Sequence, residues 1–241
     1  ADADASNELQ TLSVSFNGDT LYLQNGGYVI IPGISVANGP YPIGSVFCAS
    51  GATIIVDVTN PTTGAIWMDR NLGATQAATS SNDVDAFGDF YQWGRFSDGH
   101  QCRNSDTTST LSSIDQPTHG DFIITMSGNY DWRSPQNDNL WQGVNGINNP
   151  CPNGYRIPTE AELEAERLSW ISNDANGAIA SPLKLPLAGY RGFNNTFYTG
   201  WGDYWSSTIS GIYSRGLWFN LNANMNNNSR ASGASVRCIK D

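Results

Sequence analysis

The stretch "RIPTEAELEAERLSW" carries the clearest helix signature in the 241-residue chain. Thr159 and Glu162 have the S/T-x-x-E spacing of a capping box, which satisfies two orphan N–H groups reciprocally. Ala161, Ala165 and Leu168 then follow at i, i+4 and i+7 and predict an apolar stripe. A second helix is predicted over 82–95, "NDVDAFGDFYQWGR", with Phe87 and Tyr91 four apart and Asp83 or Asp85 near its start. Most of what remains reads as short strands: "ATIIVDVTN" and "AIWMDRNLG" across the turn "PTTG", then "LKLPLAGY", "DYWSST", "RGLWFNL" and "ASVRCIKD". Few helices, many short strands and long loops constrain the chain to an α+β fold. Residues 96–150 show no period at all, and a loop that long in a compact domain is usually functional or an elaborate surface feature.

Ahead of this lies a segment of different character. In 9–32, alternating runs flank "NGD" and "NGG", and Asn-Gly turns between alternating runs are the strongest short hairpin signal. A small β-meander is expected there, marginal by itself. "PGISVANGPYPIG" then forms a Pro/Gly boundary, so residues 1–45 are expected to be a separate hairpin or stalk segment and 46–241 the main domain. "ADADASNELQ" at the start reads as the middle of a larger protein or a processed end, which allows for a larger N-terminal assembly.

Composition excludes several classes. A net charge of −10 argues against nucleic acid, whose phosphates require Lys and Arg clusters. It equally disfavours an anionic membrane surface. No apolar run approaches ~18 residues, so membrane insertion is not expected. The cysteines at 48, 102, 151 and 238 are too far apart for a C-x-x-C pair, and with two His in total a His/Cys metal site is not expected. Four cysteines permit three pairings, or one pair and two free thiols. A Cys–His dyad from Cys102 and His100 is conceivable, although "SDGH" reads first as a turn. No nucleophile elbow, phosphate loop or H-E-x-x-H occurs.

The ordered segments "GAIWMDRNLGA", "GDFYQWGRFSDGH", "CPNGYRIPTEAELEA", "LKLPLAGYR", "YWSST" and "SVRCIKD" closely resemble the Fibrobacter succinogenes major-paralogue domain. That domain is related to the C-type-lectin-like fold of the formylglycine-generating and sulfatase-modifying family. The likeness covers about residues 50–241 and leaves 1–45 outside. Formylglycine-generating enzymes use two nearby C-terminal cysteines to bind copper. Here only Cys238 lies in that region, so the resemblance implies a binder rather than an enzyme, with no cofactor. Calcium-dependent lectins of this fold carry Glu-Pro-Asn or Gln-Pro-Asp with Trp-Asn-Asp; "SPQNDN" at 134–139 matches neither, and a structural calcium would fall among loop residues such as Asp131 and Asp138. The fold also implies that "SVRCIKD" closes the domain beside the strand–helix unit after "CPNGYRIP", which puts Cys151 and Cys238 close enough for a bridge.

One oddity remains. Asn occupies 220, 222, 224, 226, 227 and 228, immediately before that closing segment, although Asn is a poor strand and helix former. The chain also resembles the variable proteins of diversity-generating retroelements, in which a reverse transcriptase mutates adenines in a C-terminal coding region. Asn codons begin with two adenines, so the resemblance implies an exposed, diversified loop over Asn222–Ser229. The expected ligand-binding surface comprises Tyr213, Ser214, Gly216, Trp218, Leu221, Asn222, Asn224, Asn226, Asn227, Asn228, Ser229, Ser232 and Ala234, with Phe193, Asn195, Phe197, Tyr198 and Trp201 as a second group. Aromatics scattered among Asn, Ser and Gly resemble antibody paratopes; Trp205 and Phe219 are expected in the core. The implied partner is a protein or glycan on another cell or virion, met outside the cell. An undiversified adhesin or lectin is the alternative.

Overall fold

The computed structural model describes residues 12–14, 20–23, 27–30 and 40–241, apart from 127 and 129. The chain divides into two compact units, 1–43 and 44–241. In the first, Leu12–Val14, Thr20–Leu23 and Gly27–Ile30 form a three-stranded antiparallel sheet in chain order. The turns expected at Asn17-Gly18 and Asn25-Gly26 lie outside the described residues.

The second unit is built mostly from short strands in small sheets, with two α-helices among the described residues. Asp57–Thr59 and Ile66–Met68 pair antiparallel across "PTTG". Ile239–Lys240 lies between Ile66–Met68 and Tyr155–Arg156, so the chain's end closes that four-stranded sheet. The longest sheet is a meander of Gly202–Ser210, Tyr213–Phe219 and Ala223–Ser229. A further four-stranded sheet runs in the order Phe197–Tyr198, Tyr190–Arg191, Gly233–Ala234, Tyr91–Gln92.

The helix Glu160–Leu168 starts at the Thr159 cap with both capping-box bonds formed. Its buried face is Leu163 and Glu166, followed by Trp170. The expected stripe of Ala161, Ala165 and Leu168 faces water instead. Burial of Glu166 is what turns the helix, because its carboxylate accepts bonds from Asn60 Nδ2 and Trp170 Nε1. Over 82–95, by contrast, no α-helix forms. A 3₁₀ turn at Val84–Ala86 gives way to Gly88 at φ +67°, a conformation that ends helical winding, and then to the Tyr91–Gln92 strand.

Leu163, Trp170, Leu183, Leu185, Tyr204, Leu217 and Phe219 pack together into a core between the helix and one face of the long sheet. Trp205 and Phe219 are both fully buried. Four tryptophans stitch distant and irregular segments together through their indole N–H groups. Trp93 donates to the Ser206 carbonyl, Trp132 to Trp93, Trp141 to Asn148 and Trp205 to Tyr91. Residues 96–150 are largely irregular, apart from the short parallel pairing of Thr107–Thr108 with Phe122–Ile123, yet they supply core, with Trp132 and Trp141 completely buried.

So little regular structure leaves many buried carbonyls to satisfy, and buried arginines with five donors each meet that need. Arg237 donates to the Leu183 carbonyl and twice to Asn71 Oδ1, while Asn71 Nδ2 bonds the Phe87 carbonyl and the Tyr204 hydroxyl. Arg95 likewise reaches Asp98, Gln92 and the carbonyls of His119 and Asp121. The motifs "MDRN" and "SVRC" are thus joined by Asn71 and Arg237, and "YQWGR" supplies a second such set through Arg95 and Gln92.

Two disulfides complete the unit. Cys151 and Cys238 are bonded, with Cα atoms 5.9 Å apart, and Cys48 is bonded to Cys102. Such bridges belong to an oxidising compartment. No helix among the described residues is long and apolar enough to cross a membrane.

Candidate functional site

The three-stranded meander has two unlike faces because side chains alternate along each strand. Register sets Tyr204 opposite Leu217 and Leu217 opposite Met225, on the face packed against the core. On the other face Asp203 stands opposite Trp218, and Trp218 opposite Asn224. Gly216 and Asn226 are the next pair, and Ser214 and Asn228 the one beyond.

This second face bears a cavity of about 200 Å³. Trp218, Tyr190, Tyr198 and Phe193 wall it, and Asn228, Ser229 and Ser232 add polar groups. The aromatic rings are ordered against one another: Tyr190 stacks on Tyr198 at 4.5 Å and on Trp218 at 5.7 Å, and Trp201 lies 6.0 Å from Trp218. Phe193 is backed by Tyr130 at 4.8 Å. Adjacent short strands, Tyr190–Arg191 and Phe197–Tyr198, hold this aromatic wall in place.

Asp203 also lines the cavity, and it is 2% exposed. Its Oδ1 accepts a 2.8 Å bond from Asn228 Nδ2, which crosses over Gly216 to reach it. A Cβ on Gly216 would stand 2.9 Å from that amide nitrogen and 2.9 Å from the Tyr204 carbonyl oxygen, so the crossing needs glycine. Burial pushes the Asp203 carboxyl up to about 7, against smaller lowering effects from Asn228 and the Trp218 indole. That indole N–H is itself buried without a well-formed acceptor.

The expected site residues divide by position. Asn222–Ser229 is not a loop. Ala223–Ser229 pairs residue for residue with Tyr213–Phe219 as an edge strand, and only Asn222, with Leu221 at 92% exposed, lies in the turn. Asn224 and Asn227 are exposed, Asn226 and Ser229 half-buried. Asn228 is buried by its bond to Asp203. Ser214, Gly216 and Ala234 are buried too, and so present no surface. Ser232 is largely buried at the cavity edge. Tyr213 has the parity of Leu217 rather than that of Trp218 and so shares the opposite face, a correction to its expected place. Phe197, Tyr198 and Trp201 are between 39% and 47% exposed, and Asn195 is exposed.

Several other residues singled out in the sequence have partners of their own. Cys102 is in a disulfide, so no Cys–His dyad exists, and His100 is fully buried between Asp98 and the Gln92 N–H. Between Asp131 and Asp138 the cation is Arg230, 2.8 Å from Asp138 and 3.9 Å from Asp131. No group of three or more His, Cys, Asp or Glu able to hold a metal ion occurs among the described residues. Sequence reasoning missed Asp203 and Tyr190. The available signal was a charged residue inside "GDYWSST", a strand otherwise destined for the interior.

Comparison with protein-family models, curated proteins and solved structures found no match to this chain.

Proposed function

We propose that this chain is a non-enzymatic receptor-binding or display protein of C-type-lectin-like fold, acting on a virion or cell surface. Its ligand surface is the Trp218 face of the meander with the neighbouring aromatic wall, and its Asn-rich strand is the product of retroelement diversification.

One observation carries the reading: the Asn-rich segment is held in the sheet by a seven-residue backbone register. Backbone pairing is indifferent to side-chain identity, so Asn224, Asn226 and Ser229 can change without dismantling the scaffold, as can Asn222 in the exposed turn. The positions that cannot change, Gly216 and Asn228, are those committed to Asp203. Asn227 is intermediate, because its Oδ1 accepts from Arg215, which also pairs with Glu160 of the helix. Around the variable positions stand Trp218, Tyr198 and Trp201, the residue types that dominate binding hot spots.

The test is a library at Asn222, Asn224, Asn226, Asn227 and Ser229, scored for folding by thermal melt and for selection against candidate surfaces. Most members are expected to fold, with each exposed change within ~0.5 kcal/mol, and to differ in the ligand they select. Trp218→Ala in the parent is expected to weaken its binding by about 2 kcal/mol. A library that mostly fails to fold refutes the reading. An adenine-rich near-copy of the 3′ coding end beside a reverse transcriptase gene separates diversification from an undiversified adhesin.

A further inference from the structure

Among the described residues four carboxylates are buried: Asp89, Asp131, Glu166 and Asp203. Arg103 acts on Asp89, Arg230 and Arg133 act on Asp131, and Glu166 acts on Arg237 while holding Asn60 and Trp170. Asp203 has no such partner: the groups acting on it are Asn228 and Trp218, both neutral. An uncompensated buried carboxylate is costly unless something pairs with it. Of the four, Asp203 is also the one that opens onto the aromatic cavity.

We propose that this cavity is a slot for an ammonium group on an aliphatic arm, and specifically for a lysine side chain of a protein partner, with Asp203 as its counter-ion. The inference rests on the ligand-binding reading of this face and names the chemistry it recognises. At about 200 Å³ the cavity is below the ~300–1,000 Å³ of sites for drug-sized ligands, so it fits one arm rather than a whole molecule. Tyr190, Tyr198 and Trp218 give that arm apolar walls, and aromatic rings attract a cation that meets their faces. Ser232, at the cavity edge, is a residue type whose hydroxyl oxygen can accept an ammonium proton. An anionic group is repelled by the carboxylate, and a neutral one leaves it unpaired. The net charge of −10 draws basic partners toward the molecule.

Binding should depend on pH. The other titratable groups that couple to Asp203 are Tyr190 and Tyr204, each pushed up to about 12 by burial and hence neutral. Burial pushes the Asp203 carboxyl up to about 7, so ammonium affinity is full well above that pH and its fall approaches about tenfold per unit well below it.

The probes are Nα-acetyl-lysine methylamide, the norleucine amide that keeps the aliphatic arm without its ammonium group, and glucosamine, titrated into the full chain and followed by the Trp218 indole resonance. The lysine amide is expected to shift that resonance, with Kd rising about fivefold from pH 7 to pH 6 and about tenfold from pH 6 to pH 5; norleucine amide should leave it unmoved. Asp203→Asn should weaken lysine-amide binding at least tenfold at pH 8 while melting cooperatively. Should that variant not fold, the wild-type pH profile decides. Equal binding of the norleucine amide, or no pH dependence, overturns the proposal; a preference for glucosamine overturns the lysine assignment. If lysine amide fails while library members still select distinct ligands, the slot is wrong and the display reading survives.

Discussion

Replacing Asp203 by Asn isolates the cost of keeping a carboxylate at the floor of the cavity. Asp203 has a folded value of about 7 against an ordinary 3.8, a difference worth about 4 kcal/mol at ~1.4 kcal/mol per unit. The folded value is raised, so the folded state holds the proton more tightly than the unfolded chain. Stability is then fully present below the unfolded value and is lost as pH rises through about 7. Between pH 5 and pH 8 the loss from this one group is about 2–3 kcal/mol, because part of it has already occurred by pH 5. Asp89 and Asp131, pushed by burial to about 7 and about 6, contribute the same sign. His100, held by burial to about 4, contributes the opposite sign below its ordinary 6.5. All three remain in the variant and cancel in the comparison. The carboxamide cannot ionise and retains an oxygen for Asn228, but it adds an N–H without a partner, which costs about 1–3 kcal/mol at every pH. The assay is urea unfolding of both chains at pH 5 and pH 8. The wild type should lose about 2–3 kcal/mol more than Asp203→Asn over that interval. Parallel pH dependences, within ~0.5 kcal/mol, would refute the burial argument and with it the titration assigned to the cavity.

Gly216→Ala should destabilise by about 1–3 kcal/mol, because the new methyl meets Asn228 Nδ2 and the Tyr204 carbonyl, each at 2.9 Å; chemical denaturation measures it, and a neutral result would show that Asn228 does not need that path. Cys151→Ala with Cys238→Ala removes a bridge spanning 87 residues and should cost about 2–5 kcal/mol, read as a lowered melting temperature. Deleting residues 1–43 should leave the unfolding of the remainder cooperative, since its core lies within 44–241. Loss of all soluble expression would show instead that the first sheet is required.

How far the sequence could be read depended on the range of the interactions concerned. The Thr159–Glu162 capping box needs only its own turn, and it formed as the spacing dictates. The pairing of Asp57–Thr59 with Ile66–Met68 across "PTTG" needs only a hairpin's reach. Trp205 and Phe219 could be placed in the core from strand alternation and size. The bridge between Cys151 and Cys238 was legible only through the resemblance, since four cysteines alone leave the pairing open.

What depended on distant partners was decided by the tertiary structure. The rotation of the 160–168 helix follows from Asn60, about a hundred residues earlier, which makes Glu166 a better residue to bury than Leu168. The 82–95 segment has helical spacing, yet Tyr91 and Gln92 are taken into a sheet by Ala234 and Gly233. Asn-rich 222–229 reads as a loop because Asn side chains compete locally for backbone bonds. A complete backbone register against 213–219 outweighs that preference. Asp203, finally, is an ordinary aspartate until the packing of 190–198 and 228–232 around it removes its water. Propensity and capping act within a few residues of the chain; burial, which sets both the helix face and the charge state of the cavity, is a property of segments that meet only in the folded molecule.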